Sequence, residues 1–238
     1  MNWRQRSYEK ELLDGDAIPF EDIRRNMEEL DFINHWLGGH RITRAGMRTM
    51  TTLAGSGLAG GRTAGNPLRV CEIGCGGGDN LRVIRNWCSR RGIPVELLGI
   101  DINPSCIRFA AGRLPEADFM VTDYRLAEFE RKPDIIFSSL FCHHFNEGEL
   151  TEQLKWMQEH SRVGFFINDL HRNRFAWLAI KMLTRLFSGS ALVKNDAPLS
   201  VKRGFSRQEW KMLLSGAGLS GYEINWKWAF RWLITAPS

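Results

Sequence analysis

No stretch of this sequence approaches the ~18–20 consecutive apolar residues that cross a bilayer as a helix; the longest candidates, such as the run from Phe175 to Ile180, are far shorter. Cysteine is scarce: five residues, an odd number spread along the chain, which excludes the disulfide framework of a small secreted domain. The opening Met1-Asn2-Trp3-Arg4-Gln5-Arg6 runs into acidic, helix-like sequence without the apolar segment of a signal peptide. There is no internal repeat and no low-complexity linker. Nor is one charge in large excess. Against 27 Asp and Glu stand 32 Lys and Arg, a net +5, and the arginines are spread rather than gathered into the basic stripe that nucleic acid requires. A soluble cytoplasmic protein with no nucleic-acid partner is the expectation.

What is present is ordinary globular material. Of 238 residues, 43% are hydrophobic and 25% charged, enough for a proper core and incompatible with disorder. Residues 8–37 carry apolar side chains at helical spacing (Leu12, Leu13, then Ile23, Met27, Leu30, Ile33, Leu37), interrupted at Asp14-Gly15-Asp16 and Pro19. That pattern predicts two helices in an N-terminal appendage. A further helical stretch covers about 42–53, and the glycine-rich 55–67 reads as a loop. From Leu68 the texture changes. Apolar runs at 68–73, 95–100, 118–121, 134–140 and 163–167 read as strands, and 79–91, 104–113 and 147–160 as the helices between them. Strands that are continuously apolar belong to a parallel sheet covered on both faces, so the expected class is α/β, doubly wound. Ser206 and Glu209, three apart, are spaced as a capping box that opens a late helix, and 222–230 with 231–235 read as a closing strand pair. The expected division is a helical cap over 1–66 and a main domain over 67–238, with 170–205 inserted as a lid after the fifth strand.

The segment Val70-Cys71-Glu72-Ile73-Gly74-Cys75-Gly76-Gly77-Gly78-Asp79-Asn80 closes the first strand and opens the first following helix. Its glycines permit a tight turn and close approach of a ligand to the backbone. A dinucleotide fingerprint would place pyrophosphate on the helix N-terminus, but here the sixth position is Asp79, and a carboxylate competes with a diphosphate for the positive end of the helix. Glu72 adds a second negative charge. A ligand with cationic groups and no phosphate suits this loop, and S-adenosylmethionine, with its sulfonium and ammonium, is one.

At this point the sequence resembles the class I S-adenosylmethionine-dependent methyltransferases. E-x-G-x-G-x-G after a strand looks like their first motif. Asp101, ending the second strand in Leu98-Gly99-Ile100-Asp101-Ile102-Asn103-Pro104, matches the acid that accepts the ribose hydroxyls, although dinucleotide enzymes carry an acid there too. Asp123 matches the adenine-contacting acid, and the run 133–140 matches the fourth strand, which passes the methionine part of the ligand. The resemblance covers 68–169 and extends to 203–210 and 216–219. It implies a seven-stranded Rossmann-like sheet, mostly parallel with an antiparallel last strand, and a cofactor site formed by Glu72, Gly74, Cys75, Gly76, Gly78, Asp101, Ile102, Asp123, Tyr124 and Ser139. Ile33-Asn34-His35-Trp36-Leu37-Gly38-Gly39 looks like the N-terminal helix of a bacterial small-molecule branch. The segments 168–172 and 196–201 resemble methyltransferases associated with type III polyketide synthases.

Chemistry would sit at the carboxyl ends of the strands, where the sequence places Cys142-His143-His144-Phe145 and Asn168-Asp169-Leu170-His171-Arg172. Methyl transfer needs alignment and, for a hydroxyl acceptor, removal of a proton. His144 and His171 are the candidate bases, Asp169 a candidate orienter, and His143 stands behind them. No metal site is read from Cys142, His143 and His144, because three adjacent residues do not all turn onto one ion. Residues 172–187 combine a broad apolar face with Arg172, Arg174, Lys181 and Arg185, a pattern of a helix packed on the core, a lid or a peripheral membrane contact. Trp36, Phe141, Phe145 and Trp177 are expected to wall a flat aromatic substrate. The reading is a methyltransferase for a small apolar acceptor of phenolic, polyketide or quinone type, with O-methylation favoured over C-methylation. An RNA or protein methyltransferase and a non-catalytic S-adenosylmethionine-binding module are the competing readings. Against the first of these stands the absence of an Asn-Pro-Pro-Tyr-like tetrapeptide at 139–142.

Overall fold

The computed structural model describes residues 3, 5–15, 18–53, 63 and 65–238; most of the 55–67 segment lies outside them. Helices α1 (Phe20–Trp36) and α2 (Gly39–Leu53) precede the sheet. Then β1 (Leu68–Ile73), α3 (Asp79–Ser89), β2 (Val95–Asp101), α4 (Pro104–Arg113), β3 (Asp118–Val121), β4 (Ile135–Ser139), α5 (Glu147–His160) and β5 (Gly164–Leu170) alternate. Helices α6 (Arg174–Phe187), α7 (Ala191–Arg203) and α8 (Arg207–Gly216) follow, and β6 (Glu223–Lys227) with β7 (Arg231–Pro237) closes the chain.

The seven strands run in the order β3-β2-β1-β4-β5-β7-β6. Pairing is parallel from β3 to β5, and β7 runs antiparallel to both its neighbours. β4 is wholly buried and β5 is buried up to its last residue, which is why neither shows a polar alternation in sequence. The order reverses between β1 and β4, and the crevice beyond their carboxyl ends is the position where open α/β sheets bind ligands. The predicted Ser206–Glu209 capping box is formed, as is one between Asn146 and Glu149 at the start of α5.

Two apolar layers hold the sheet. On one face Phe165, Ile167, Phe205, Trp210 and Ile234 pack beneath α5 and α8. On the other, Ile42, Met47 and Met50 of α2 join Leu68, Val70, Leu81 and Phe166 in a single cluster, with Phe137 and Phe166 stacked at 4.8 Å. α2 is therefore part of the core, whereas α1 sits over the strand ends and packs on α4 and α7. The span 170–205, read as one lid, contains two helices. Pro198 lies inside the second, where it removes a backbone donor, and buried Val193, Leu199 and Val201 hold that helix in place.

α2 approaches the sheet closely at Gly46, where an added Cβ would lie 2.4 Å from the Phe166 ring. Gly46→Val is expected to destabilise the fold by about 1–3 kcal/mol through overpacking, read as a lowered denaturant midpoint. An unchanged midpoint would mean that α2 is not locked onto the sheet.

Candidate functional site

Three glycines alternate through the turn between β1 and α3, and all are left-handed: φ is +65° at Gly74, +49° at Gly76 and +69° at Gly78. A Cβ at Gly74 would lie 2.2 Å from the Phe141 ring, so glycine is required there by both conformation and space. Asp101, at the end of β2, ties the turn down. Its Oδ2 accepts the Gly76 N–H at 2.8 Å and its Oδ1 the Asn103 N–H at 2.8 Å. Above the turn opens a cavity of about 650 Å³ whose lining includes Glu72, Gly74, Cys75, Gly76, Asp101, Ile102 and Ser139, which is a size suited to a nucleoside ligand.

The floor of this cavity is acidic. Glu72 is buried, and among the described residues its Oε2 has no hydrogen-bond partner. Burial, and then the charge of Asp79, push its carboxyl well above the ordinary range. Burial also raises Asp101. Asp79 goes the other way: burial opposes its charge, but His40 at 2.8 Å and Asn34 at 3.1 Å hold it below its ordinary value. An acid with one oxygen left unpaired, beside an acid kept charged, is a place for a cation. The cavity therefore fits a positively charged, phosphate-free ligand by its own chemistry.

Not every expected residue joins it. Asp123 stands at the carboxyl end of β3, but its carboxylate caps the turn at 124–126 and is clamped by Arg125 at 2.9 Å. Tyr124 packs edge-on against Phe141, Phe145 and Trp156. Neither is part of the cavity lining, and Gly78 is set back as the residue before α3. His171 is displaced altogether. Its backbone pairs with Phe205 and Phe230, so its ring leaves the strand ends, rests 4.9 Å from Trp232 and accepts from Trp226 Nε1 at 3.3 Å. Of the two candidate bases, the structure brings His144 to the cleft and leaves His171 outside it.

Asp169 meets neither candidate base. It is fully buried and pairs with His143, Oδ1 to Nδ1 at 2.8 Å, while its Oδ2 accepts the His143 backbone N–H at 3.2 Å. On the other side of His143, Glu11 Oε1 stands 3.5 Å from Nε2. His144 faces Asp14 Oδ1 through Nδ1 at 3.1 Å and Glu11 Oε2 through Nε2 at 3.6 Å. Glu11 and Asp14 were not legible as site residues. They lie about 130 positions away in sequence, on an N-terminal arm with no motif of its own. Their ligating atoms and those of the two histidines draw within 4.8 Å for Glu11, His143 and His144; Arg203, with Nη1 4.0 Å from Glu11 Oε1, brings positive charge to that cluster.

A second cavity, about 260 Å³, opens beside the first and shares Leu13, Leu30, Leu140 and His144 with it. Its walls come from α1, α6 and α7: Ile33, Leu37, Ala176, Ile180, Leu183, Val193 and Ala197, with Trp228 and Phe230 from the turn before β7. None of the four aromatics expected to wall a substrate lines it. Trp36 is 68% exposed on the outer side of α1, Phe141 lines the first cavity, Phe145 packs on Tyr124, and Trp177 lies against Trp3. The wall is mainly aliphatic because the positions facing inward on α1 and α6 are Leu, Ile and Ala.

Residues 70–164 match the family model of a methyltransferase domain. The trans-aconitate 2-methyltransferase of Methylobacterium radiotolerans is 26% identical over 97 residues, 41% of this chain, and the chain spans 31% of that relative's length. Among solved structures, the plantazolicin methyltransferase BpumL, in complex with a monoazolic desmethylPZN analog and SAH, superposes with a TM-score of 0.55 at 20% identity, covering 87% of this chain and 80% of that one. The magnesium protoporphyrin IX methyltransferase of Synechocystis PCC 6803, with bound SAH, gives 0.51 at 16% identity over 94% and 89%. These likenesses show a shared Rossmann-like fold beyond the matched segment.

The buried His143 pair makes stability depend on pH. Burial pulls the imidazole down, but Asp169 and Glu11 outweigh it and raise it from 6.5 to about 9. A raised histidine stabilises fully below its unfolded value, and that contribution fades as pH rises through about 9. Unfolding free energy is expected to fall by about 2–3 kcal/mol across that window, and His143→Gln is expected to flatten the slope. A wild-type profile already flat between those values would mean the pair carries no such charge.

Proposed function

We propose that this chain, whose residues 70–164 are a methyltransferase domain, is an S-adenosylmethionine-dependent methyltransferase acting on a hydroxyl of a small apolar acceptor, in a cytoplasmic setting that five free, buried cysteines suit. One observation carries the reading. An acidic cavity over the glycine turn and an aliphatic cavity under α1 and α6 meet at Leu13, Leu30, Leu140 and His144. Glu72, Asp79 and Asp101, with the backbone of Gly74 to Gly76, would hold the cofactor. When bound, it supplies a methyl carbon activated by positive sulfur. The aliphatic walls would hold the acceptor and exclude water, which is most of what an in-line displacement asks of a protein. His144 is the proton acceptor of this scheme. Its ring lies between Asp14 on Nδ1 and Glu11 on Nε2, carboxylates that would stabilise the imidazolium formed, and the residue lines both cavities. A phenolic or polyketide-derived acceptor fits the aliphatic walls, and an electron-rich ring carbon would use the same base.

The outer faces of α1 and α6 support a further part of this reading, contact with an anionic bilayer surface. Phe187 is 80% and Leu186 72% exposed, with Phe32, Trp36 and Met182 beside them. α6 carries Arg174, Lys181 and Arg185 and no acid, and the nearby Glu28 and Glu29 are engaged by Arg24 and Arg25. A helix apolar on one side and purely cationic on the other is an interfacial helix. The open groove between the two helices shares Ile33, Leu37, Ile180 and Leu183 with the inner cavity, a route for a lipophilic acceptor.

Three measurements test these statements. Asp101→Ala is expected to weaken S-adenosylmethionine binding by about 1–3 kcal/mol in calorimetry; unchanged affinity would move the cofactor elsewhere. His144→Ala is expected to lower kcat about 10²–10⁴-fold with cofactor affinity kept, whereas His171→Ala keeps both; the reverse pattern would reinstate His171. In vesicle sedimentation, the protein is expected to bind phosphatidylglycerol-containing vesicles and not phosphatidylcholine alone. The Leu186→Ser/Phe187→Ser double variant should lose about ten-fold in binding, and equal binding by variant and wild type would discard the bilayer contact.

A further inference from the structure

The aliphatic cavity is lined by a buried cation for which the reaction scheme gives no task. Arg231, the first residue of β7, is 3% exposed and lines it. A buried guanidinium normally sits on a carboxylate, because an unpaired charge away from water is strongly unfavourable. Here the carboxylates that could serve are committed. Asp169 is bound to His143 at 2.8 Å, and Asp79 to His40 at 2.8 Å. Nη2 donates to the Asn34 side-chain oxygen at 2.9 Å. Among the described residues, Nη1 has no hydrogen-bond partner. A second, independent signal lies on the same wall. Asn26 of α1 is 2% exposed and lines the same cavity, and its Nδ2 also lacks a partner. Two buried donors without a partner thus belong to residues that line one apolar cavity, Arg231 Nη1 lying beside Gly39, and each lacks the acceptor that a buried donor ordinarily has.

We propose that Arg231 is the specificity-determining residue of the acceptor site and takes an anionic oxygen of the acceptor, a carboxylate or a second phenolate distinct from the oxygen that receives the methyl group, with Asn26 donating to a further acceptor oxygen. This inference rests on the aliphatic cavity being the acceptor site. The acceptor is then an amphiphile: an apolar body along Ile33, Leu37, Ile180 and Val193, and oxygen at the polar positions. An arginine rather than a lysine suits the role, because one edge of the fork can stay on Asn34 while the other meets the ligand. The remaining polar residues of the wall are spoken for. Glu11 accepts from Ser200, and the Asp196 carboxylate takes the Leu12 and Leu13 N–H groups. His143 is held between Asp169 and Glu11, and His144 between Asp14 and Glu11, so among the described residues the buried side-chain donors of this wall without a partner are on Arg231 and Asn26.

The test uses the full chain loaded with S-adenosylhomocysteine and a matched pair of probes, a 6-alkylsalicylate and its neutral methyl ester, with binding read by calorimetry. Wild type is expected to bind the carboxylate at least about ten-fold more tightly than the ester. Arg231→Met is expected to erase that preference while ester binding is kept, and Arg231→Lys to restore part of it. Affinity for S-adenosylhomocysteine is the control for each variant. If the ester binds as well as the acid, if Arg231→Met keeps the preference, or if neither probe binds a protein that takes up S-adenosylhomocysteine normally, the assignment of Arg231 is overturned. Loss of S-adenosylhomocysteine binding by wild type would instead overturn the methyltransferase reading.

Discussion

Glu72 and Asp79 stand at the two ends of one tight glycine turn, in a corner too dry for both to carry charge without help. The fold resolves the conflict unequally. Asp79 is given His40, Asn34 and, more distantly, Arg82, and stays ionised. Glu72 is buried at the end of β1 with one oxygen unpartnered and is pushed toward its neutral form. A cation over the turn would relieve both. The left-handed glycines and the Asp101 tether are what keep that corner open, since any side chain at Gly74 would meet Phe141. The side chains of the turn thus carry electrostatics that favour a positive ligand over a diphosphate.

The histidine end of the cleft is built differently, by arginines acting on backbone. The turn at Cys142–His144 has carbonyls that point away from any strand, and two guanidinium groups collect them. Arg6 reaches the carbonyls of His143 and Phe145 at 3.2 and 3.0 Å, and Arg203 those of His143 and His144 at 3.0 and 2.9 Å. Arg6 also lies 4.0 Å over the Phe205 ring and donates to the Arg203 carbonyl. Only a planar fork with several donors serves three or four carbonyls at once. This clamp draws the N-terminal arm across the strand ends and so delivers Glu11 and Asp14 to the histidines. Asp196 completes it by taking the N–H groups of Leu12 and Leu13.

That difference in construction explains what could be read in advance. The glycine turn, the strand ends and Asp101 are local: conformation, spacing and charge all lie within a few residues, and the reading of β1, β3, α4 and α5 matches the structure in both position and extent. Pairing across the fold is not local. Asp169 and His171, two apart, invite comparison with each other, yet the pleat of β5 sends Asp169 inward to His143, and the pairing with Phe205 turns His171 away. Asp123 matches a motif by position, and the arginine two residues later takes its carboxylate. Pro198 lies inside α7, and burial of Val193, Leu199 and Val201 holds that helix despite the missing backbone donor. Nothing in the sequence marks Arg231, a single arginine ahead of an apolar strand, as a residue of the acceptor wall.

The two cavities are also joined by a polar chain whose direction is forced. Arg231 can only donate and ionised Asp79 can only accept. The amide of Asn34 lies between them, and it satisfies both in one orientation alone, with Oδ1 on Arg231 at 2.9 Å and Nδ2 on Asp79 at 3.1 Å. Gly39 leaves space for this arrangement, since a Cβ there would lie 2.8 Å from Asn34 Oδ1 and 2.9 Å from Arg231 Nη1. The same amide is therefore hydrogen-bonded to a residue of each cavity, Asp79 in the first and Arg231 in the second, and fixes the one against the other.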